Sequence, residues 1–126
     1  MGILHRFIGK NGDLDWEGVE KEVYEDRASV LGSRRILIGE ADGASAYQLR
    51  YFEIPPGGKS SMDIHKHDHG IYILRGSSRI LLGEERVEAG IGDVIYIPSN
   101  ERHQLETVGD APLGFLCISQ PKILQE

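Results

Sequence analysis

Short apolar segments separated by turn residues constrain the fold of this chain more than any other feature of its sequence. Sixteen glycines are spread along the 126 residues. Together with Pro, Asn and Asp they interrupt the apolar runs every ~8–12 residues, which is typical of a β-sandwich or barrel. We therefore predict an all-β, mainly antiparallel fold. The predicted strands are Arg35–Gly39, Ala46–Ile54, Ile71–Leu74, Arg79–Leu82, Asp93–Ile97, His103–Thr107 and Leu113–Ile118.

The chain has the usual size of a single domain with one core. The segment 11–29 differs from the rest, because its apolar residues, Trp16 and Tyr24 among them, follow neither a helical nor a strand period. We predict an irregular N-terminal arm over residues 1–33, a barrel over 34–120 and a C-terminal tail over 121–126. The arm would cover either the barrel or a second subunit.

Charge and composition exclude several classes of partner. The net charge of −6 and the absence of clustered Lys and Arg argue against nucleic acid and against an anionic membrane surface. No apolar run approaches the ~20 residues that cross a bilayer, and the N-terminus lacks the pattern of a secretory signal, so a cytoplasmic location is expected. Cys117 lies in an apolar run and is predicted to be a buried structural thiol.

Four of the five histidines lie at two places in the sequence: His65, His67 and His69 alternate, and His103 follows a Pro-containing turn. Neutral imidazole is the commonest metal ligand, and side chains at alternate positions of a strand project from one face. A straight strand would separate His65 from His69 by ~13 Å, whereas bonds to one ion are ~2.1 Å long. We therefore predict a turn within 66–68 that places His65 and His69 on adjacent strands.

The segment 92–107 resembles the second conserved motif of the cupin superfamily. That motif runs Gly, five residues, Pro, one residue, Gly, two residues, His, three residues, Asn, and every interval is kept here. Asn100 occupies the second Gly place and Thr107 the Asn place. Asn tolerates the left-handed turn conformation that Gly would supply. The resemblance implies that His103 is a metal ligand.

The segment 57–76 resembles the first cupin motif, which runs Gly, five residues, His, one, His, three or four, Glu, six, Gly. Without gaps, Asp63 takes the first His place, His65 the second, and His69 the Glu place, as in four-histidine cupins. A competing register pairs His65 with His67 and keeps His69, but it needs a loop two residues shorter than the motif allows. The fourth ligand is left open between Asp63 and His67.

The resemblance implies a double-stranded β-helix, or jelly roll, that holds one divalent transition metal: Fe, Mn, Ni, Cu or Zn. It implies a metalloenzyme of dioxygenase, isomerase or lyase type acting on a small oxygen-bearing molecule, and a homodimer. One alternative is a non-catalytic binding module for a small organic anion or sugar. Another is a structural barrel without metal, whose histidines pair with Asp63 and Asp68.

The pocket beside the metal is predicted to be small and largely apolar. Its lining would come from residues that share the parity of the ligands and from tyrosines able to bring a hydroxyl near the ion: Tyr47, Tyr51, Ile71, Ile73, Tyr96 and Leu105. Outside the ligands, Glu53 and Glu106 are candidate bases by location only. His5 is interpreted as a satisfied polar residue without a role in the site.

Overall fold

The part of the chain that the structure describes forms nine strands. The computed structural model describes residues 1–10, 12–25 and 30–121, and within these residues the only helical segment is one short 3-10 turn, Glu40–Asp42. None of the described segments is a helix long and apolar enough to cross a membrane. The strands are β1 (Lys21–Glu25), β2 (Leu31–Ile38), β3 (Gln48–Ile54), β4 (His69–Arg75), β5 (Ser77–Leu82), β6 (Glu85–Ala89), β7 (Val94–Ile97), β8 (His103–Val108) and β9 (Leu113–Ser119).

The strands form two antiparallel sheets. The larger sheet has the order β1-β2-β3-β9-β4-β7, and the smaller sheet has the order β6-β5-β8. Strand β9 lies between β3 and β4, so pairing between distant parts of the chain holds the larger sheet together. The predicted all-β antiparallel class is confirmed.

The hydrophobic core contains residues from both sheets. Successive side chains of a strand point to opposite faces, so alternate residues of each strand reach this layer. β-branched isoleucine dominates the core and suits the pleated surface of a strand. Cys117 is buried here, as predicted. The core consists of Ile54, Ile71, Ile73, Ile80, Ile95, Ile97, Leu105, Leu113, Phe115 and Cys117.

Two strands are missing from the predicted set. Strand β1 lies inside the segment predicted to be irregular, and it pairs with β2, where Glu22 stands opposite Arg34. Strand β6 is rich in charge and largely exposed. Both lie at sheet edges, where polar residues on each face hide the alternation that marks a half-buried strand. Asn11 and residues 26–29 lie outside the described residues, as does the predicted tail beyond Pro121.

The N-terminal arm covers the outer face of the larger sheet. The Trp16 ring lies 5.3 Å from that of Tyr51 on β3, and the Phe7 ring lies 5.5 Å from Trp16. The Asp15 carboxylate accepts a hydrogen bond of 3.0 Å from the Arg35 guanidinium. These contacts place the arm against the barrel of its own chain.

Candidate metal centre

Three imidazoles converge at one end of the barrel. His69 is the first residue of β4, His103 is the first residue of β8, and His65 lies in the loop that precedes β4. Each offers a nitrogen, and these three nitrogens lie within 4.8 Å of one another. The ring centroids form a nearly equilateral triangle with sides of 5.2 to 5.3 Å.

Backbone hydrogen bonds join the two predicted motifs. Asp63 donates to the carbonyl of His103 at 3.0 Å, and His103 donates back to Asp63 at 2.9 Å. Asn100 donates its N–H to the carbonyl of His65 at 2.6 Å. Asn100 has a φ of 64°, so it adopts the left-handed conformation predicted for the motif's Gly place. These contacts hold the loop carrying His65 against the turn before His103.

The prediction that His65 and His69 lie on adjacent strands is wrong. The chain bends at residues 66–67, as expected from their turn chemistry, but His65 precedes the bend in a loop rather than in a strand. Its neighbour two residues earlier, Asp63, makes only an isolated bridge to His103. A loop can bring a side chain back over β4 in the way that a paired strand would, and the local sequence does not distinguish the two.

Burial favours the neutral form of the imidazoles of His65, His67 and His69. His69 and His103 are each only 7% exposed. Burial, helped by the neighbouring imidazoles, lowers the pKa of His69 to about 3. Burial also lowers the pKa values of His65 and His67. A neutral imidazole keeps a lone pair on one ring nitrogen, which is the state that binds a metal ion.

Hydrogen bonds orient two of the rings. Nδ1 of His103 lies 2.9 Å from the carbonyl oxygen of Glu101, which can only accept, so Nδ1 carries the proton and Nε2 carries the lone pair. Nδ1 of His69 lies 3.3 Å from Sγ of Cys117. Nε2 of His69 is buried and has no hydrogen-bond partner among the described residues.

The unpartnered nitrogen of His69 fits a metal ion. A buried polar atom without a partner costs about 1–3 kcal/mol, and an ion bound at Nε2 would remove that cost. Two nitrogens bound to one ion at ~2.1 Å are at most ~4.2 Å apart, so small side-chain rotations would bring the three rings onto one ion. The residues present can therefore hold a metal ion.

Both candidates for the fourth ligand lie beside the three rings. The ring of His67 is 4.7 Å from that of His65 and 4.6 Å from that of His69. The Asp63 carboxylate lies 3.8 Å from Nε2 of His65 and accepts a hydrogen bond of 2.7 Å from the Ser61 hydroxyl. Neither belongs to the group of three mutually close ligand atoms.

A cavity of about 430 Å³ opens beside the three rings. Its deep wall is apolar and includes Ile71 and Leu105, which were both predicted to line it. Ile73, predicted with them, is fully buried in the core and is not among the residues that line the cavity. The apolar lining residues are Val23, Phe52, Ile71, Ile97, Leu105, Phe115 and Cys117, and the polar ones besides the three histidines are Glu22, Tyr24, Arg34, Arg50, Ser60, Ser61 and Asp63.

The prediction that Tyr47, Tyr51 and Tyr96 face this cavity is wrong. Tyr51 is on the opposite face of β3, under Trp16, and its hydroxyl donates to the Glu53 carboxylate at 3.1 Å. Tyr47 is 43% exposed. Tyr96 is 63% exposed and donates a hydrogen bond of 2.9 Å to Asp68.

The side chains of β3 that do line the cavity are Arg50 and Phe52, which sequence reasoning missed. Both faces of β3 carry large side chains, because the arm covers the outer face, so alternation alone does not say which face is inner. The available signal was Arg50 itself, a charged residue within a strand that is otherwise half apolar.

The other candidate residues lie away from the cavity or have a structural partner. The Glu53 carboxylate is engaged by Tyr51 and lies 4.0 Å from the Arg75 guanidinium. Glu106 follows Leu105 on β8 and so points to the other face of its sheet. His5 shares a hydrogen bond of 2.6 Å with Asp42, which agrees with its interpretation as a satisfied polar residue.

The two antiparallel sheets pack on each other, and three imidazoles converge on one open cavity. These features define a small jelly-roll protein with a histidine cluster. The chain belongs to the cupin family, since the Cupin domain matches residues 50–119, more than half of its length. The match includes His65, His69 and His103.

Relatives and solved structures agree with this assignment. The 1-methylthio-D-xylulose 5-phosphate methylsulfurylase of Rhodospirillum rubrum is 33% identical over 105 residues, or 82% of this chain and 67% of that protein. The oxalate-binding protein of Thermotoga maritima is 33% identical over 86 residues, or 66% of this chain and 69% of that protein. The crystal structure of a cupin 2 conserved barrel domain protein from Rhodopseudomonas palustris superposes with a TM-score of 0.81 at 31% identity, covering 94% of this chain and 80% of that one.

The chain spans about two thirds of the length of these two curated relatives. It spans only 18 to 24% of two longer matching proteins.

Proposed function

We propose that this protein is a mononuclear metal-binding cupin whose ion is held by His65, His69 and His103. The observation that carries the proposal is the buried Nε2 atom of His69, which has no partner among the described residues, on a ring that brings a ligand nitrogen within 4.8 Å of those of the other two rings. Fe, Mn, Ni, Cu and Zn all accept imidazole, so the ligand type does not select one of them.

The ring distances favour His67 as the fourth protein ligand, after a rotation of its ring, which is stacked on that of His65 at an interplanar angle of 17°. Rings bound to one ion through nitrogens at ~2.1 Å have centroids roughly 3.2 Å from it, so two rings at right angles lie roughly 4.5 Å apart. The His67 ring is 4.7 and 4.6 Å from those of His65 and His69. Asp63 then acts on His65 from outside the ligand set.

We further propose a metalloenzyme of dioxygenase, isomerase or lyase type that acts on a small oxygen-bearing molecule. A bound divalent ion would supply Lewis-acid stabilisation of negative charge on a substrate oxygen. The apolar wall, with Ile71 and Leu105, would exclude water from one side of the substrate. Tyr24 and Arg50 offer hydrogen-bond donors on the other side. The methylsulfurylase relative, whose named substrate is a sugar phosphate, supports a substrate of this size.

A second candidate is a binding module that holds a small organic anion without turnover, and the oxalate-binding relative favours it. Incubating the metal-loaded protein with oxalate and with sugar phosphates, first without oxygen and then in air, separates the two candidates. Product formation or oxygen uptake would establish an enzyme, and saturable binding without turnover would establish the module. The homodimer and the cytoplasmic location stay predictions.

Elemental analysis of untagged protein tests the metal proposal. We expect about one equivalent of a transition metal after reconstitution, and loss of most of it in His69→Ala. The matched control is His5→Ala, which removes an imidazole outside the cluster and should leave the metal content unchanged. Less than a tenth of an equivalent in the wild-type protein would instead support the structural barrel without metal.

A further inference from the structure

Arg50 places a guanidinium group in the cavity without a carboxylate partner. Its Nε atom is buried and has no hydrogen-bond partner among the described residues. One terminal nitrogen has weak contacts with Cys117 Sγ at 3.7 Å and with Ser119 Oγ at 3.4 Å. The guanidinium carbon lies 4.9 Å from the centre of the Phe52 ring. None of these contacts neutralises the charge.

Two arginines of the neighbouring strand β2 are matched with carboxylates. Arg34 pairs with Glu22 at 3.0 Å, and the buried Arg35 pairs with Asp15 at 3.0 Å. Within the described part of the chain, no carboxylate lies within 4.0 Å of the guanidinium of Arg50. A charge taken out of water is costly unless it is paired, so a ligand that supplies negative charge would stabilise this arrangement.

The acidic and basic side chains on the cavity wall balance, so an ion bound at the imidazoles would set the sign of the site. Arg34 on the cavity wall is paired with Glu22 at 3.0 Å. Arg50 and Asp63 are the remaining charged side chains on the cavity wall, and they cancel. A divalent ion at the imidazoles would make the whole site positive, which favours an anionic ligand over a neutral one.

We propose that Arg50 is the anion-binding residue of this cavity and that the ligand is a small organic acid or phosphate ester. One anionic group of the ligand accepts hydrogen bonds from the terminal nitrogens of the Arg50 guanidinium, whose planar fork suits both carboxylate and phosphate oxygens. A second oxygen of the same ligand faces the three imidazoles, and this part of the inference rests on the proposed metal site. Neutral sugars of equal size bind poorly, since they leave the guanidinium charge unpaired.

The side-chain Nε–H resonance of Arg50 reports anion binding at the guanidinium in the wild-type protein. The resonance is assigned by its loss in Arg50→Lys. The probes are oxalate and inorganic phosphate, and erythritol is the neutral control. Each probe is titrated into both metal-free and metal-loaded protein. We expect at least one anion to shift the resonance with saturation, and erythritol to leave it in place. A resonance that neither anion moves in either form would overturn the proposal.

Calorimetric titration of oxalate and of phosphate into variants measures the contribution of Arg50. We expect Arg50→Met to lower the affinity for the preferred anion at least tenfold, with Arg50→Lys intermediate because it keeps the charge without the planar fork. Arg79→Met is the matched control, because Arg79 is paired with Glu88 on an exposed strand pair and should bind as the wild type does. Unchanged affinity in a folded Arg50→Met protein would contradict the proposal.

The two proposals fail in different ways. If the wild-type protein takes up no metal but oxalate or phosphate still shifts the Arg50 resonance, the anion site stands and the metal proposal fails. If the protein binds one metal equivalent but its Arg50 resonance ignores both anions, the metal proposal stands and the anion site fails. Metal content measured in Arg50→Lys should equal that of the wild type, because Arg50 is not a ligand.

Discussion

Nδ1 of His69 lies 3.3 Å from Sγ of Cys117, the one cysteine of the chain. Burial raises the pKa of the Cys117 thiol, so the sulfur stays protonated and neutral. It can then accept a hydrogen bond from Nδ1–H of His69, which leaves the lone pair on Nε2 directed toward the other rings. Cys117 was predicted to have only a packing role, and the structure places it behind a proposed ligand.

Cys117→Val is therefore expected to weaken metal binding about tenfold or more, because loss of a partner behind a ligating histidine typically costs that much. Cys117→Ser keeps an acceptor for Nδ1–H and should stay within about threefold of the wild type. Competition with a chelator, using Zn²⁺ as the ion, measures both affinities. Equal affinities in wild type and Cys117→Val would show that the thiol does not orient His69.

His67→Ala and Asp63→Asn separate the two candidates for the fourth ligand. Because the His67 ring lies closer to two of the rings than those rings lie to each other, we expect His67→Ala to reduce metal affinity more than Asp63→Asn does. The same competition titration provides the measurement. The reverse order would assign the fourth position to Asp63 and support the gapless register of the first motif.

The buried His69 makes the metal-free protein sensitive to acid. Its pKa is about 3 in the folded state and roughly 6.5 in the unfolded chain, so between these values only the unfolded state binds the proton. The contribution of His69 to the free energy of unfolding is therefore fully present above the pKa of the unfolded chain and is lost as the pH falls below it. Between pH 7.5 and 5.5, linkage assigns about 1 kcal/mol of this loss to His69. Urea unfolding with a chelator present measures it, and His69→Gln should lose about that much less than the wild type. Equal losses in the two proteins would contradict this cause.

The packing of the N-terminal arm on the barrel also contributes to stability. Trp16 contacts both Phe7 and Tyr51, and Trp16→Ala should lower the free energy of unfolding by about 2 kcal/mol, less than for a fully buried Trp, since this ring is only half-buried. Phe7→Ala is the control, with a loss of about 1 kcal/mol or less because Phe7 is exposed. Denaturant titration gives both values. A Trp16→Ala protein as stable as the wild type would show that the arm does not hold the sheet.

The motif spacing allowed much of the site to be predicted. The left-handed turn at Asn100 and the placement of His103 at the start of a strand both follow from intervals along the chain, which local chemistry controls. The convergence of His65 and His69 also followed from spacing, although the loop that brings it about did not.

The errors concern contacts between distant parts of the chain. Tyr51 alternates as an inner residue would, but it is buried by Trp16, which lies 35 residues earlier in the sequence. Because Trp16 covers Tyr51, the face of β3 that carries Tyr51 is the outer face and not the inner one as predicted. The opposite face of β3 places Arg50 in the cavity. The edge strands β1 and β6 lack a buried face, so they have no periodic apolar signal to detect.

Anomalous diffraction from crystals of the Co²⁺-loaded protein would show directly whether the ion lies among the three imidazoles. We expect one strong peak at ~2.0–2.2 Å from a ring nitrogen of each of His65, His69 and His103, with Nε2 as the bound atom of His69 and His103. The proposed metal centre would be contradicted by a fully loaded crystal whose three rings carry no anomalous peak. A peak that lies elsewhere, for example between His5 and Asp42, would contradict it as well.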